Sequence, residues 1–395
     1  MRADAAIGLG PSALSVQLDV SALPPRRGCV VADKYLDVRL RSDVLSLQHA
    51  LRWTRLLVNP SMHARVSSLD PFREKHCVRH VVHKQLLGGA FRFESDSAAM
   101  LQLVEAAYGG LPSHRLPGTA STFLVELRLL PGRVRSFMDE PPAMQMQSDA
   151  GRLCGVMDES NYVVLSSEQG RALVVASEDM LDHSYHLRYE LIEFAVFTLA
   201  TRGLGLVPLH GACVGRCGRG VLLLGASGSG KSTLALHSLL RGLDFLSEDA
   251  VFVEPKSMLA TGVANYLHVT DEALPWVADI AARRWLAQAP LIRRRSGLCK
   301  HEADLRLGPG VLATEPMALA GAIFVSREAA PGAAAQLHAL PRGEAALKLT
   351  GDQPYAVGQP GWQCFHEKLL SLGVHVLRRG RSPEASVDAL LTLLM

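Results

Sequence analysis

The chain has 395 residues, too many for one small core and enough for two domains. Its composition, 48% hydrophobic and 20% charged, is that of an ordinary globular protein. The 41 Lys+Arg against 38 Asp+Glu leave a formal +3, so no strong field recruits nucleic acid or a membrane surface. The seven cysteines are odd in number and contain no C-x-x-C pair, which does not suit a disulfide framework and suggests reduced thiols in a cytoplasmic protein.

Residues 1–33 are rich in Pro, Gly and Ala without periodicity and are expected to be partly disordered. No basic start leads into an apolar core, so no signal peptide is expected. From Tyr35 short alternating runs follow, first Tyr35–Leu40, then Val78–His83 and Ala90–Glu94. Further runs at Phe123–Leu129, Cys154–Asp158, Tyr162–Leu165 and Ala172–Ala176, with one helix near Ser97–Tyr108, predict a smaller α+β domain over 34–183. It carries no chemical motif and reads as a scaffold or a holder of a partner.

The second predicted domain, 184–395, opens with a helix over 184–202. The apolar stretch Leu191–Val207 includes Glu193 and Arg202, too short and too charged to span a bilayer. Next come strands at Gly205–Val214 and Gly220–Leu224, a helix at Ser232–Arg241 and a strand at Phe245–Val253. A buried strand at Gly321–Ser326 and an amphipathic helix at Ser382–Leu394 complete an α/β order. Residues 275–310 read as less regular; there Arg293-Arg294-Arg295 is either a solvated face or, with Lys300, a dock for an acidic peptide.

Between strand and helix lies a complete G-x-x-x-x-G-K-[ST] loop, with Gly225, Gly230, Lys231 and Ser232 at its fixed positions. The backbone from Gly225 through Ala226, Ser227, Gly228, Ser229 and Gly230 would wrap a β-phosphate, and Thr233 continues into the helix. Lys231 would reach the β- and γ-phosphates, and the Ser232 hydroxyl would be a Mg²⁺ ligand. ATP or GTP is the expected ligand.

Two neighbours could complete a phosphoryl-transfer site. Glu248 and Asp249 follow the loop helix, where one carboxylate could serve Mg²⁺ and the other take a proton from an incoming hydroxyl. His210 lies on the strand before the loop strand and is a candidate catalytic group. Cys213 and Cys217 stand near it but lack the spacing of a four-ligand zinc site.

Leu-His-Gly-Ala at 209–212, the loop, and Leu-Arg-Gly-Leu-Asp-Phe-Leu-Ser-Glu-Asp at 240–249 resemble, in order and spacing, the catalytic domain of bacterial HPr kinase/phosphorylases. The resemblance covers about 180–330 and implies a P-loop core of that type, ATP and Mg²⁺ as cofactors, and a homo-oligomer. It implies that His210 and Glu248 handle the substrate proton and that Asp249 is the Mg²⁺ carboxylate. Glu248 departs from the family's usual Asp, which leaves open which of the two is the base. The later glycine-rich segment tied to the phosphorylase reaction is not found, which argues against dephosphorylation. Residues 106–112 and the helix before His210 look more like stand-alone kinases found with ribosomally made peptides, such as lasso peptide tailoring kinases. An acceptor Ser/Thr in a peptide or small protein follows from that likeness. A nucleotide-gated regulatory module and a small-molecule kinase are the alternatives.

Overall fold

A computed structural model describes residues 79–118, 121–132 and 140–395. The expectation for 1–33, the run at Tyr35–Leu40 and the start of the Val78–His83 run lie outside the described residues.

The first sheet has seven strands: β1 (His80–Leu86), β2 (Gly89–Ser95), β3 (Thr122–Leu130), β4 (Gln145–Asp149), β5 (Arg152–Val156), β6 (Tyr162–Ser166) and β7 (Arg171–Ser177). Their spatial order is 1-2-3-7-6-5-4, with β2–β3 and β3–β7 parallel. Leu87 and Gly88, both at positive φ, form the two-residue turn between β1 and β2, whose twist suits the flanking strands. Helix α1 (Ala98–Tyr108) provides the crossover from β2 to β3.

A π-helical turn at Leu187–Ile192 runs into α2 (Glu193–Leu204), which ends on Gly205 in the left-handed region. Leu187, Leu191, Ile192 and Val196 are buried in the same core as Phe91, Phe93 and Val125 of the first sheet. This lead-in segment is therefore buried nearly all round because it lies under a sheet, polar Arg188, Glu193, Thr198 and Thr201 included, and α2 is only 12 residues long. No helix among the described residues is long and apolar enough to cross a membrane.

The remainder builds a second, larger sheet from β8 (Val207–His210), β9 (Ala212–Arg216), β10 (Arg219–Leu224), β11 (Asp244–Ser247), β12 (Ala250–Glu254) and β13 (Leu259–Gly262). A three-stranded sheet follows, β14 (Tyr266–Val269), β15 (Leu291–Arg293) and β16 (Cys299–Asp304), in order 14-16-15. The larger sheet is completed by β17 (Val311–Leu312), β18 (Met317–Ala329), β19 (Gln336–Ala339) and β20 (Val374–Arg379). Helices α3 (Lys231–Leu240), α4 (Ile280–Ala287), α5 (Arg342–Asp352), α6 (Trp362–Leu372) and α7 (Pro383–Leu391) connect them. The chain is a mixed α/β protein.

At the centre β10, β18 and β20 run parallel. Val221, Leu223, Ile323 and Val325 face α3 and α7, while Leu222, Leu224 and Phe324 face α6. Both faces are covered, so these strands read as continuous apolar runs rather than alternating ones. The carboxyl ends of all three strands open onto one crevice, the usual ligand position in such a sheet.

Two strands expected as continuous are each bent. Residues 207–216 and 244–254 pair as an antiparallel ribbon, β8 with β12 and β9 with β11. The ribbon breaks at Gly211 and at Glu248-Asp249, where the Gly211 N–H donates to Asp249 O at 3.1 Å. A Cβ on Gly211 would stand 2.6 Å from Leu223 O, so the bend needs glycine. The stretch 275–310, expected as irregular, contains α4, β15 and β16.

Candidate functional site

The crevice is a cleft of about 780 Å³. One wall is the turn from β10 into α3. Gly225, Gly228 and Gly230 adopt φ of 125°, 73° and 103°, values open to glycine at little cost. A Cβ on Gly225 would lie 2.9 Å from Val325 O, so the loop also packs too closely on β18 for any side chain there. Ala226, Ser227 and Gly228 are exposed at the rim, whereas Ser229 is buried and its hydroxyl has no hydrogen-bond partner.

Lys231 and Ser232 open α3 and point back toward the loop and the acidic bend. Lys231 Nζ donates to Gly225 O at 2.5 Å and Ala226 O at 3.3 Å, curling the ammonium over the loop's own concavity. Burial pushes its pKa below the ordinary lysine value, against the pull of Asp249, Asp352 and Glu248. Ser232 Oγ donates to Glu248 Oε1 at 2.7 Å. Thr233 lines the cleft one residue on.

The acidic pair divides between two environments. Glu248 is 4% exposed and lies beneath the wall. Its Oε2 accepts from the backbone N–H and the Nδ1 of His268, at 3.1 and 2.9 Å. Burial and the neighbouring Asp249 charge would raise the Glu248 carboxyl, but His268 and Lys300 leave it below its ordinary value. Asp249 instead lines the cleft. Arg294 Nη2 donates to its Oδ2 at 3.2 Å. Burial works against the Arg294 charge, yet Asp249 and Glu248 outweigh it and hold the guanidinium above its ordinary range.

His210 ends β8 opposite Ala250, so the ribbon carries it to the acidic bend. It is exposed on the cleft wall. Gln353 pins its main chain, accepting from His210 N at 2.8 Å and donating to His210 O at 3.0 Å. The structure thus gathers His210, the 225–233 loop and Asp249 around one cleft, with Glu248 behind Ser232.

Several residues of this region carry no motif. His268 on β14 faces Glu302 across the strand pair to β16. Glu302 Oε1 accepts from Arg188 Nη2 at 2.5 Å and from Tyr189 OH at 2.9 Å. Burial would raise Glu302, but His268 and Arg188 bring it down to about 2. The arginine triplet splits three ways. Arg293 is exposed, Arg294 is buried on Asp249, and Arg295 clamps Glu190 at 2.6 Å and Pro141 O at 2.6 Å. On the other side of the loop, Arg379 donates to Arg327 O, and Arg327 donates to Ser227 O.

The donor set suits a hard divalent cation. The Ser232 hydroxyl and the carboxylates of Glu248 and Asp249 supply oxygen, the ligand type that Mg²⁺ takes. Glu248, Asp249 and His268 present ligand atoms within 4.8 Å of one another. The imidazole Nδ1 is committed to Glu248, which leaves the oxygens as the donors.

No family model matches the chain. It is similar to an HPr kinase/phosphorylase of Geobacter sulfurreducens, 28% identical over 186 residues, which cover 41% of this chain and 56% of that protein. The match spans little more than half the length of that relative.

Proposed function

We propose that this chain is a Mg²⁺- and ATP-dependent kinase that phosphorylates a Ser or Thr hydroxyl of a peptide or small protein. The observation that carries the reading is the pairing of Ser232 with Glu248 while Asp249, one residue on, faces the cleft. A phosphate cradle, a cation-binding oxygen set and a proton acceptor then lie within one short stretch of space. Similarity to an HPr kinase/phosphorylase supports the same class of chemistry.

The loop N–H groups and Lys231 would bind the β- and γ-phosphates. Ser232 and Glu248 would hold Mg²⁺, whose role when bound is to neutralise charge on the phosphate oxygens. Asp249, fixed by Arg294, is assigned to accept the hydroxyl proton as that oxygen attacks the γ-phosphorus and ADP leaves. Phosphoryl transfer has a loose transition state, so an orienting carboxylate suffices there. Glu248 is less suited, because three donors already occupy its oxygens. His210 stands on the same wall as a second proton-handling group.

The test is incubation with γ-labelled ATP, Mg²⁺ and a pool of Ser- and Thr-containing peptides. Label recovered as phosphoserine or phosphothreonine supports the reading. Hydrolysis with label found only as free phosphate overturns it.

A further inference from the structure

Six side chains, five of them buried and Ser232 half-buried, form one continuous chain from the lead-in segment to the loop helix. Arg188 and Tyr189 meet Glu302; Glu302 and Tyr189 meet His268; His268 meets Glu248; Glu248 meets Ser232. We propose that His268 is a positioning residue for the cation side of this site. It sets the one orientation of the Glu248 carboxylate that receives Ser232, and Glu302 with Tyr189 hold the ring from behind. The assignment rests on the phosphotransfer reading above.

The geometry leaves Glu248 no freedom. Its Oε1 takes the Ser232 hydroxyl, and its Oε2 takes both the ring and the backbone N–H of His268. The ring is equally fixed. It is 2% exposed, and its Nε2 faces Tyr189 OH at 3.2 Å and Glu302 Oε1 at 3.4 Å. His268 and Glu302 are direct cross-strand partners, so the register of β14 on β16 sets their separation. Tyr189 and Arg188 come from the π-helical turn, a rare winding frequent at functional sites. The Arg188 guanidinium also lies 4.3 Å from the Tyr266 ring centroid.

Core stability alone does not explain this cluster. Apolar residues of similar volume would serve a core as well as two carboxylates, an imidazole and a guanidinium. What apolar residues could not do is hold an ionised carboxylate still beneath a serine hydroxyl. Partners behind a metal ligand act in this way, and losing one costs about 10- to 100-fold in metal affinity.

The experiment compares the full chain with His268→Asn, His268→Gln and Tyr189→Phe. Affinity for Mn²⁺–ATP is read by electron paramagnetic resonance, and affinity for metal-free ATP by calorimetry in chelator. The Asn amide stands about where Nδ1 stood and keeps the donor to Glu248. The longer Gln amide reaches toward Nε2 and keeps only the rear contact. His268→Asn, which loses the rear contact, is expected to bind Mn²⁺–ATP about fivefold more weakly than the parent, and His268→Gln, which loses the bond to Glu248, about thirtyfold more weakly or worse. Metal-free ATP should bind all of them alike, because the loop and Lys231 are untouched. Equal behaviour of the Asn and Gln variants, or metal-free affinity falling in step, overturns the assignment. Should the histidine variants not fold, Tyr189→Phe removes a single hydroxyl and is expected to weaken Mn²⁺–ATP about fivefold; no change there overturns it too. A parent chain that binds no nucleotide at all overturns the phosphotransfer reading itself, and this assignment with it.

Discussion

Ser232 Oγ donates to Glu248 Oε1 at 2.7 Å, joining the first turn of the loop helix to the bend between β11 and β12. That bond sets the acidic pair in register with the glycine loop. Glu248 turns inward to the serine, and Asp249, next in the chain, turns toward the cleft.

Lys231 Nζ is held by two loop carbonyls that a bound phosphate would replace as partners. Lys231→Ala is expected to lower both transfer and hydrolysis by at least about a hundredfold, the loss typical of one preorganised charge stabiliser. Initial rates with labelled ATP check this, and near-parent rates would contradict it.

The loop glycines are not equivalent. An alanine at Gly225 meets Val325 O at 2.9 Å as well as an unfavourable φ of 125°. An alanine at Gly228 meets open space and only an unfavourable φ of 73°. Gly225→Ala is expected to cost about 2–3 kcal/mol of stability, and Gly228→Ala about 1 kcal/mol. Urea midpoints compare the two, and equal losses would contradict the close packing on β18.

This contrast also marks what was legible in the sequence. The glycine loop and the acidic pair could be read because each is a contiguous run whose backbone or side chains act together. His268, Glu302, Tyr189 and Arg188 are single residues from three separate segments, joined only by the pairing of β14 with β16 and by the π-helical turn. The one signal was a histidine inside the apolar run Tyr-Leu-His-Val, a polar group bound to be buried. The bends at Gly211 and Glu248-Asp249 were hidden because strand patterning continues on both sides of them. Arg294 was hidden in a triplet whose neighbours take different partners.

Glu302 makes the fold acid-sensitive. Its folded carboxyl lies at about 2 against an ordinary 4.5, so its stabilisation is present above the ordinary value and is lost as pH falls from there through the folded one. The full contribution is on the order of 3 kcal/mol. Glu302→Gln should be less stable at neutral pH and show a shallower loss of stability over that acid window. Urea midpoints across a pH series measure this; parallel curves for both proteins would contradict it.

The far face of the large sheet depends on α6. Phe365 is wholly buried there and packs with Trp362 at 5.7 Å between ring centroids. Phe365→Ala should cost about 3–5 kcal/mol by cavity formation. Chemical denaturation gives the value, and a loss under about 1 kcal/mol would contradict the packing described.

On the function proposed above, this cleft would move a phosphoryl group to a hydroxyl with Asp249 as the proton acceptor. The most direct measurement compares the parent chain with Asp249→Asn for transfer of labelled γ-phosphate to a Ser- or Thr-containing peptide, with ATP affinity measured alongside. Transfer lost by about a hundredfold or more with ATP affinity within about threefold is the predicted result. Undiminished transfer by Asp249→Asn would contradict that role of Asp249.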